Sequence, residues 1–268
     1  MKFYVSSARG RFPIPYQVIN TNIVAPLFVN WEETLIWACL QGVMGKIYTD
    51  DLIQPTAAMA VLGDFSFFAG ETNAELAAYT PNGFAPNYRI LVPQTKSWQE
   101  MLMQVYGKKA NIISRYATKK EKDAFNKEAL ERIIKTLPQG YTLSMMEESL
   151  YHKCKAEPWS ADLVAQFPDY TTYQTLGIGA VICKDNLLVS GASSYARYLD
   201  GIEIEIDTKE PYRQKGLATI CGAKLILECL NRDLYPSWDA HTQASLALAE
   251  KLGYHYSHTY TAIEIWNS

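Results

Sequence analysis

From Ile202 to Ile206 the chain alternates apolar and acidic residues, the period of two that predicts a β-strand carrying Glu203 and Glu205 on one face. Pro211, Arg213, Lys215 and Gly216 follow, and then Ile220, Ala223, Leu227 and Leu230 recur at spacings of three and four, which predicts a helix lying on a sheet. The same periods place further strands at "YTLSMMEES", "GIGAVICK", "LLVSGASSYARY", "YPSWDA" and "YHYSHTYTAIEIW". They place a helix at "PWSADLVAQF", capped near Ser160, and another from Gln243 to Leu252, capped by Thr242 and closed by Gly253.

The first half reads as a helix at "WEETLIWACLQG" and a strand at "GKIYTDD", then one or two strands in "TAAMAVLGDFSFFAGE" broken at Gly63-Asp64. A short helix "NAELAAYT", a strand "NYRILVPQ", a helix "SWQEMLMQVYG" and a strand "KANIISRYAT" follow. Lys119 to Leu137 is charged and amphipathic, and Pro138-Gln139-Gly140 ends it. The domain boundary is placed there, giving residues 1–138 and 139–268.

Composition narrows the function classes. A chain of 268 residues, 48% hydrophobic and 20% charged, has the proportions of one large or two ordinary globular domains. Its net charge of −3 gives no electrostatic reason to expect nucleic acid or an anionic membrane as partner. The apolar runs are too short to span a bilayer, and the N-terminus lacks the sustained apolar core of a signal peptide, so a cytoplasmic protein is expected. The five cysteines are scattered without a CxxC pair, which points to reduced thiols and no metal. His255 and His258 are read as ordinary surface or half-buried residues.

Several ready-made motifs fail. "GIGAVI" has Ile182 where the third glycine of a dinucleotide fingerprint belongs, "GVMGK" lacks the length and hydroxyl residue of a P-loop, and "GASSY" has Tyr195 where a nucleophile elbow needs glycine. What remains is Arg213-Gln214-Lys215-Gly216-Leu217-Ala218, between a strand and a helix. A helix start presents N–H groups without internal acceptors, and a glycine there lets backbone approach a phosphate. A plain turn with solvated basic residues is the alternative.

Taken together, strand, R-x-x-G-x-A, long helix, short strand, helix and "EKLGY" resemble the GCN5-related N-acetyltransferases, the GNAT superfamily, from about Gly140 to Ser268. "LGDFSFFAGE", Leu62 to Glu71, extends the likeness to a bacterial branch with an extra N-terminal half. The resemblance implies an α/β fold: a mixed, mostly antiparallel sheet flanked by helices, preceded by a smaller α/β domain that is a degenerate GNAT-like unit on the substrate side. It implies acetyl-CoA as co-substrate, its pantetheine arm along Ile206, Asp207 and Thr208 and its diphosphate at Arg213, Gln214, Lys215, Gly216, Leu217 and Ala218. A primary amine of a small molecule would attack the thioester directly, with Glu205, or less directly Glu203, as base and Asp239 or His241 as alternative relays. A homodimer is left open.

One departure matters. The tyrosine that protonates the leaving thiolate in many members is replaced by Ala249, and the frequent asparagine at the start of that helix by Thr242. Ser245 or another tyrosine would have to serve. The departure keeps a second reading open, a non-catalytic acyl-CoA-binding sensor or interaction module. Trp31, Trp37, Phe65, Phe67 and Phe68 are read mainly as core, with a pocket wall as the alternative.

Overall fold

The alternating and helical segments fold into the elements their periods predict, in a computed structural model that describes residues 15–84 and 87–266. The first half runs β1 (Tyr16–Val18), α1 (Thr34–Leu40), β2 (Lys46–Thr49), β3 (Ala57–Leu62), β4 (Phe65–Gly70), α2 (Ala74–Ala78), β5 (Tyr88–Pro93), α3 (Lys96–Tyr106), β6 (Ala110–Thr118) and α4 (Lys127–Ile134). The second runs β7 (Tyr141–Met145), α5 (Glu148–Ala156), α6 (Tyr170–Leu176), β8 (Gly179–Lys184), β9 (Leu187–Tyr198), β10 (Gly201–Thr208), α7 (Leu217–Asn231), β11 (Tyr235–Ser237), β12 (Asp239–Ala240), α8 (Gln243–Leu252) and β13 (Tyr256–Trp266).

Local chemistry sets the ends. Asn73, Thr95, Asn126, Asp169 and Thr242 each accept a hydrogen bond from the N–H three residues on, opening α2, α3, α4, α6 and α8. Such caps contribute about 1 kcal/mol each. The β8–β9 hairpin turns on Asp185 and Asn186, both at positive φ, 50° and 63°, as a two-residue turn matched to strand twist requires.

Three expectations are corrected. The strand expected through "YTLSMMEES" stops at Met145, and α5 begins at Glu148. Its apolar residues are few, but the buried Tyr151 and Cys154 stand one turn apart, enough to hold the helix against the core. In place of the helix expected at "PWSADLVAQF" there is a 3-10 turn at Ala161–Leu163, and the Ser160 hydroxyl donates to the Cys154 carbonyl at 3.0 Å instead of capping it. "YPSWDA" is two strands in two different sheets.

Those sheets explain the architecture. One has eight strands in the order β1-β2-β3-β4-β5-β13-β6-β12, the other five in the order β11-β10-β9-β8-β7. Each half repeats one plan: antiparallel strands, a helix, a parallel partner strand, a helix and a last strand. The parallel pairs are β4 with β5 and β10 with β11. Each half then lays its last strand beside the other's parallel-strand region, β13 between β5 and β6, and β6 between β13 and β12. The result is a mixed, mostly antiparallel α/β fold with two similar halves. The expected boundary at 138/139 falls in the loop between α4 and β7, yet two strands from beyond it complete the first half's sheet.

The five-stranded sheet is covered on both faces. On one, Ile202 and Ile204 of β10 pack in one core cluster with Leu217, Ile220, Leu225 and Ile226 of α7. Burying a side chain of this size contributes about 1.5–3 kcal/mol. Leu227 and Leu230 are half-buried and join Ile133, Ile134 and Leu137 in the same cluster, so α7 is apolar nearly all round. On the other face, Tyr195 and Tyr198 of β9 pack with α1 and β3 of the first half. Glu203 and Glu205 point to this second face, between the halves.

The exchanged strands make each half depend on the other. Fragments 1–138 and 139–268 expressed separately should remain unfolded or molten by near-UV circular dichroism, and should copurify as a folded pair when coexpressed. A cooperatively folded 139–268 fragment would show the exchange to be dispensable.

Candidate active site

The site begins where a strand loses its neighbour. β10 pairs with β11 only from Gly201 to Glu203, opposite Tyr235 to Ser237. At Trp238 the chain leaves that sheet, and Asp239 pairs with Ala117 of β6 in the other. Beyond Glu203, one edge of β10 therefore faces no strand. Its N–H groups are met by neighbouring carboxylates: Ile206 donates to Glu205 Oε1 at 3.2 Å and Thr208 to Asp207 Oδ1 at 2.6 Å. An extended ligand can replace such local acceptors as an added strand does.

The edge runs into the basic loop. A 3-10 turn at Glu210–Tyr212, carrying Pro211, takes the chain out of the sheet. Gln214 and Gly216 then sit at positive φ, 60° and 76°. A Cβ on Gly216 would meet nothing within 4 Å, so glycine serves here for its backbone conformation. No side chain caps α7, so the N–H groups of its first turn, from Leu217 and Ala218 on, stay open to an anion. Arg213 and Lys215 lean back on the loop: Arg213 Nε donates to Thr208 O at 2.9 Å, and Lys215 Nζ to Pro211 O at 3.0 Å.

On its inner side the free edge opens on a cavity of about 340 Å³ between the halves. Glu205, Glu203, Asp239, His241 and Ser245 line it from the second half. Glu33, Asp64, Phe65, Phe67 and Arg115 line it from the first, and Asp162 closes one side. Among the described residues, six carboxyl groups thus face a space with one guanidinium. That guanidinium is committed: Arg115 Nη2 lies 2.6 Å and Nε 2.7 Å from Asp239 Oδ1, with the Phe65 ring 4.9 Å from its centre. Asp239 Oδ2 is buried with no hydrogen-bond partner among the described residues.

The two glutamates of β10 differ in their surroundings. Glu203 is buried and doubly held, by the Thr34 hydroxyl and by the Asp239 N–H at 2.8 Å, which ties α1 and β12 to β10. Glu205 has only the weak contact to the Ile206 N–H. Burial first, and then Asp162, pushes the Glu205 carboxyl up to about 8. Burial and Asp162 also raise Asp64, to about 6. Ser245 Oγ accepts from Trp238 Nε1 at 3.1 Å, which leaves its own hydrogen free to be donated.

Of the residues singled out in the sequence, Glu203, Glu205, Asp239, His241 and Ser245 converge here, as do Phe65 and Phe67. Trp37 and Phe68 are core, packed on Tyr198 and Trp98. Ala249 is fully buried on the inner face of α8. His255 meets Glu121 at 2.6 Å on the surface, and His258 is exposed. Glu33, Arg115, Asp162 and Tyr195 were not anticipated. Arg115 alone carried a signal, a cation in the interior of the strand that follows Lys109. Gly63, beside Asp64, allows a close approach, since a Cβ there would strike the Tyr195 hydroxyl, which accepts from the Asp64 N–H at 2.9 Å. Among the described residues no helix is long and apolar enough to cross a membrane.

Comparison with known proteins bears on this geometry. The family model for GNAT acetyltransferase matches residues 25–263. The chain is 25% identical over 238 residues to the uncharacterized N-acetyltransferase YdfB of Bacillus subtilis, covering 85% of this chain and 88% of that one. A crystal structure of a GCN5-related N-acetyltransferase-like protein from Streptococcus suis shares 45% identity and a TM-score of 0.87, covering 92% of this chain and 98% of that one. A GCN5-related N-acetyltransferase from Kribbella flavida shares the fold, at 14% identity and a TM-score of 0.52, over 93% of this chain and 95% of its own.

The Arg115–Asp239 pair spans both halves at the cavity wall. Arg115→Ala strands a buried carboxylate and should destabilise the protein by about 3–5 kcal/mol. Urea denaturation with a midpoint equal to that of the unsubstituted protein would show the pair to be relaxed or solvated.

Proposed function

We propose that this chain, which belongs to the GNAT acetyltransferase family, moves an acetyl group from acetyl-CoA to a primary amine of a small molecule. The observation that carries the reading is the free edge of β10, which has an uncapped helix start at one end and an acidic cavity along its inner side. The pantetheine amides take over the Ile206 and Thr208 N–H groups, and the diphosphate takes the first turn of α7 around Gly216, Leu217 and Ala218. Arg213 and Lys215 supply positive charge beside it. Taking over the Ile206 N–H also releases Glu205 from its one contact.

The amine enters from the first half's side, drawn by carboxylates. Glu205 removes its proton, the nitrogen lone pair adds to the thioester carbonyl, and the C–S bond breaks as the amide forms. As the C–S bond breaks, the proton that the new amide nitrogen sheds passes to the departing thiolate through the Ser245 hydroxyl, which Trp238 orients. Ser245 thus ends as it began, in the role a tyrosine at position 249 would otherwise fill. Glu203 holds the walls together and does not exchange the proton, because both its oxygens are engaged.

Release of free thiol from acetyl-CoA, measured against a panel of primary amines, tests the proposal. Coenzyme A binding without thiol release from any amine would favour the non-catalytic module instead. Gly216→Asp should abolish binding of coenzyme A in calorimetric titration while the far- and near-UV circular dichroism stays intact, since it places negative charge at the diphosphate. Unchanged affinity would remove the helix start from the site.

A base whose pKa is raised is unavailable until the pH passes that value. With Glu205 pushed up to about 8, kcat/KM should climb with pH and level off above about 8. Glu205→Gln should cut turnover by about tenfold to a thousandfold at neutral pH and flatten that limb. An unaltered pH profile in the variant would assign the base elsewhere, with Asp239 next to test.

A further inference from the structure

The cavity's carboxylates fall into two groups along β10. Glu205 stands with Asp162 and Asp64, beside the free strand edge. Glu203 and Asp239 stand at the other end with Glu33, the residue immediately before α1. Glu203 and Glu205 themselves stand two residues apart on β10, a step of about 7 Å. Phe65, Phe67 and Ile90 add apolar surface to the same cavity.

Glu33 is the residue that the acetyl-transfer reading leaves idle. It sits at the N-cap of α1, where a carboxylate would ordinarily bond the first-turn N–H groups, yet its side chain makes no cap hydrogen bond. It is 8% exposed, lines the cavity, and meets no hydrogen-bond donor among the described residues. The cations facing it are Arg115 and Lys120. Arg115 is bound to Asp239 at 2.6 Å, and Lys120 Nζ donates to the Thr118 carbonyl at 3.3 Å, with no ion pair to Glu33 or Glu203 among the described residues. Glu203, by contrast, is fully engaged. The Glu33 oxygens open on the cavity and no protein donor among the described residues holds them, so a ligand cation placed there would meet an unengaged carboxyl. Burial and Asp239 hold the Glu33 carboxyl well above the usual range, outweighing Lys120 and Arg115.

We infer that the substrate amine carries a second ammonium group, held by Glu33, so that the substrate is a diamine or polyamine. This rests on the acetyl-transfer reading for the reacting end, where Glu205 takes the proton. The apolar walls accommodate the methylenes, and the second ammonium supplies the cation that Glu33 lacks.

The test compares 1,3-diaminopropane, 1,4-diaminobutane and 1,5-diaminopentane with n-butylamine and n-pentylamine. At least one diamine should exceed the monoamines in kcat/KM by about tenfold to a hundredfold, chiefly through KM, as expected for a close charge pair. Glu33→Gln should reduce the diamine-to-monoamine ratio by a similar factor, with the melting temperature checking the fold. Equal kcat/KM for diamines and monoamines, or a ratio unmoved in a folded Glu33→Gln, overturns the inference while leaving acetyl transfer standing. Calorimetric titration of the same amines into the protein with coenzyme A gives an answer independent of turnover. Preference for a diamine there supports the second pole even if no thiol is released, and equal binding overturns it.

Discussion

At Trp238 the chain passes from one sheet to the other, and the rest of the site depends on that change of partner. A strand edge inside a protein presents N–H and C=O groups that must be satisfied. Between Gly201 and Glu203 the neighbour β11 does this for β10, and past that point nothing regular does. The side chains of Glu205 and Asp207 bend onto the next N–H instead. Such contacts are local and easily exchanged, so the edge is prepared for a ligand that supplies better acceptors. The sheet change also puts Asp239 beside Glu203 and Arg115, so one crossing opens the cleft and clamps its far wall.

Electrostatics inside the cavity follow from composition and geometry together. The chain as a whole is only slightly acidic, with a net charge of −3. The local imbalance is greater, because six carboxyl groups share a small enclosed space with Arg115, and Asp239 already holds that cation. Burial raises the carboxyls of Glu33, Asp64, Asp162, Glu203 and Glu205, and a cation placed among them would act the other way. Such an arrangement is what the proposed amine substrate would need, with the negative charge spread along the wall instead of gathered in one pocket.

How much of this was legible in the sequence depended on the range of the interaction. The strand Ile202–Ile206, the glycine at the start of α7, the Thr242 cap and the closing Gly253 could be read because each is a pattern within a few residues. α5 was missed because Tyr151 and Cys154 are too sparse a signal among polar neighbours, and the helix expected after Pro158 was overcalled because its apolar residues fill a core without regular winding. The splitting of "YPSWDA" could not be seen, since nothing local says that Tyr235 and Asp239 belong to different sheets. The cavity was legible only in part: Glu203, Glu205 and Ser245 lie on elements whose faces could be assigned, whereas Glu33 and Arg115 reach it from the other half, far away along the chain. Only the topology brings them in.

The exchanged last strands also bear on how the protein is made. β6 leaves the ribosome early, but both its neighbours, β13 and β12, come from near the C-terminus. At about 5–20 residues per second, β6 waits on the order of ten seconds for its partners. Throughout synthesis the first half therefore holds an apolar strand with two open edges, the kind of surface that pairs with the wrong chain. With this topology the strands of the first half cannot complete their sheet before the later ones are made. The eight-stranded sheet closes only when those later strands reach β6, and until then β6 is the edge most in need of cover.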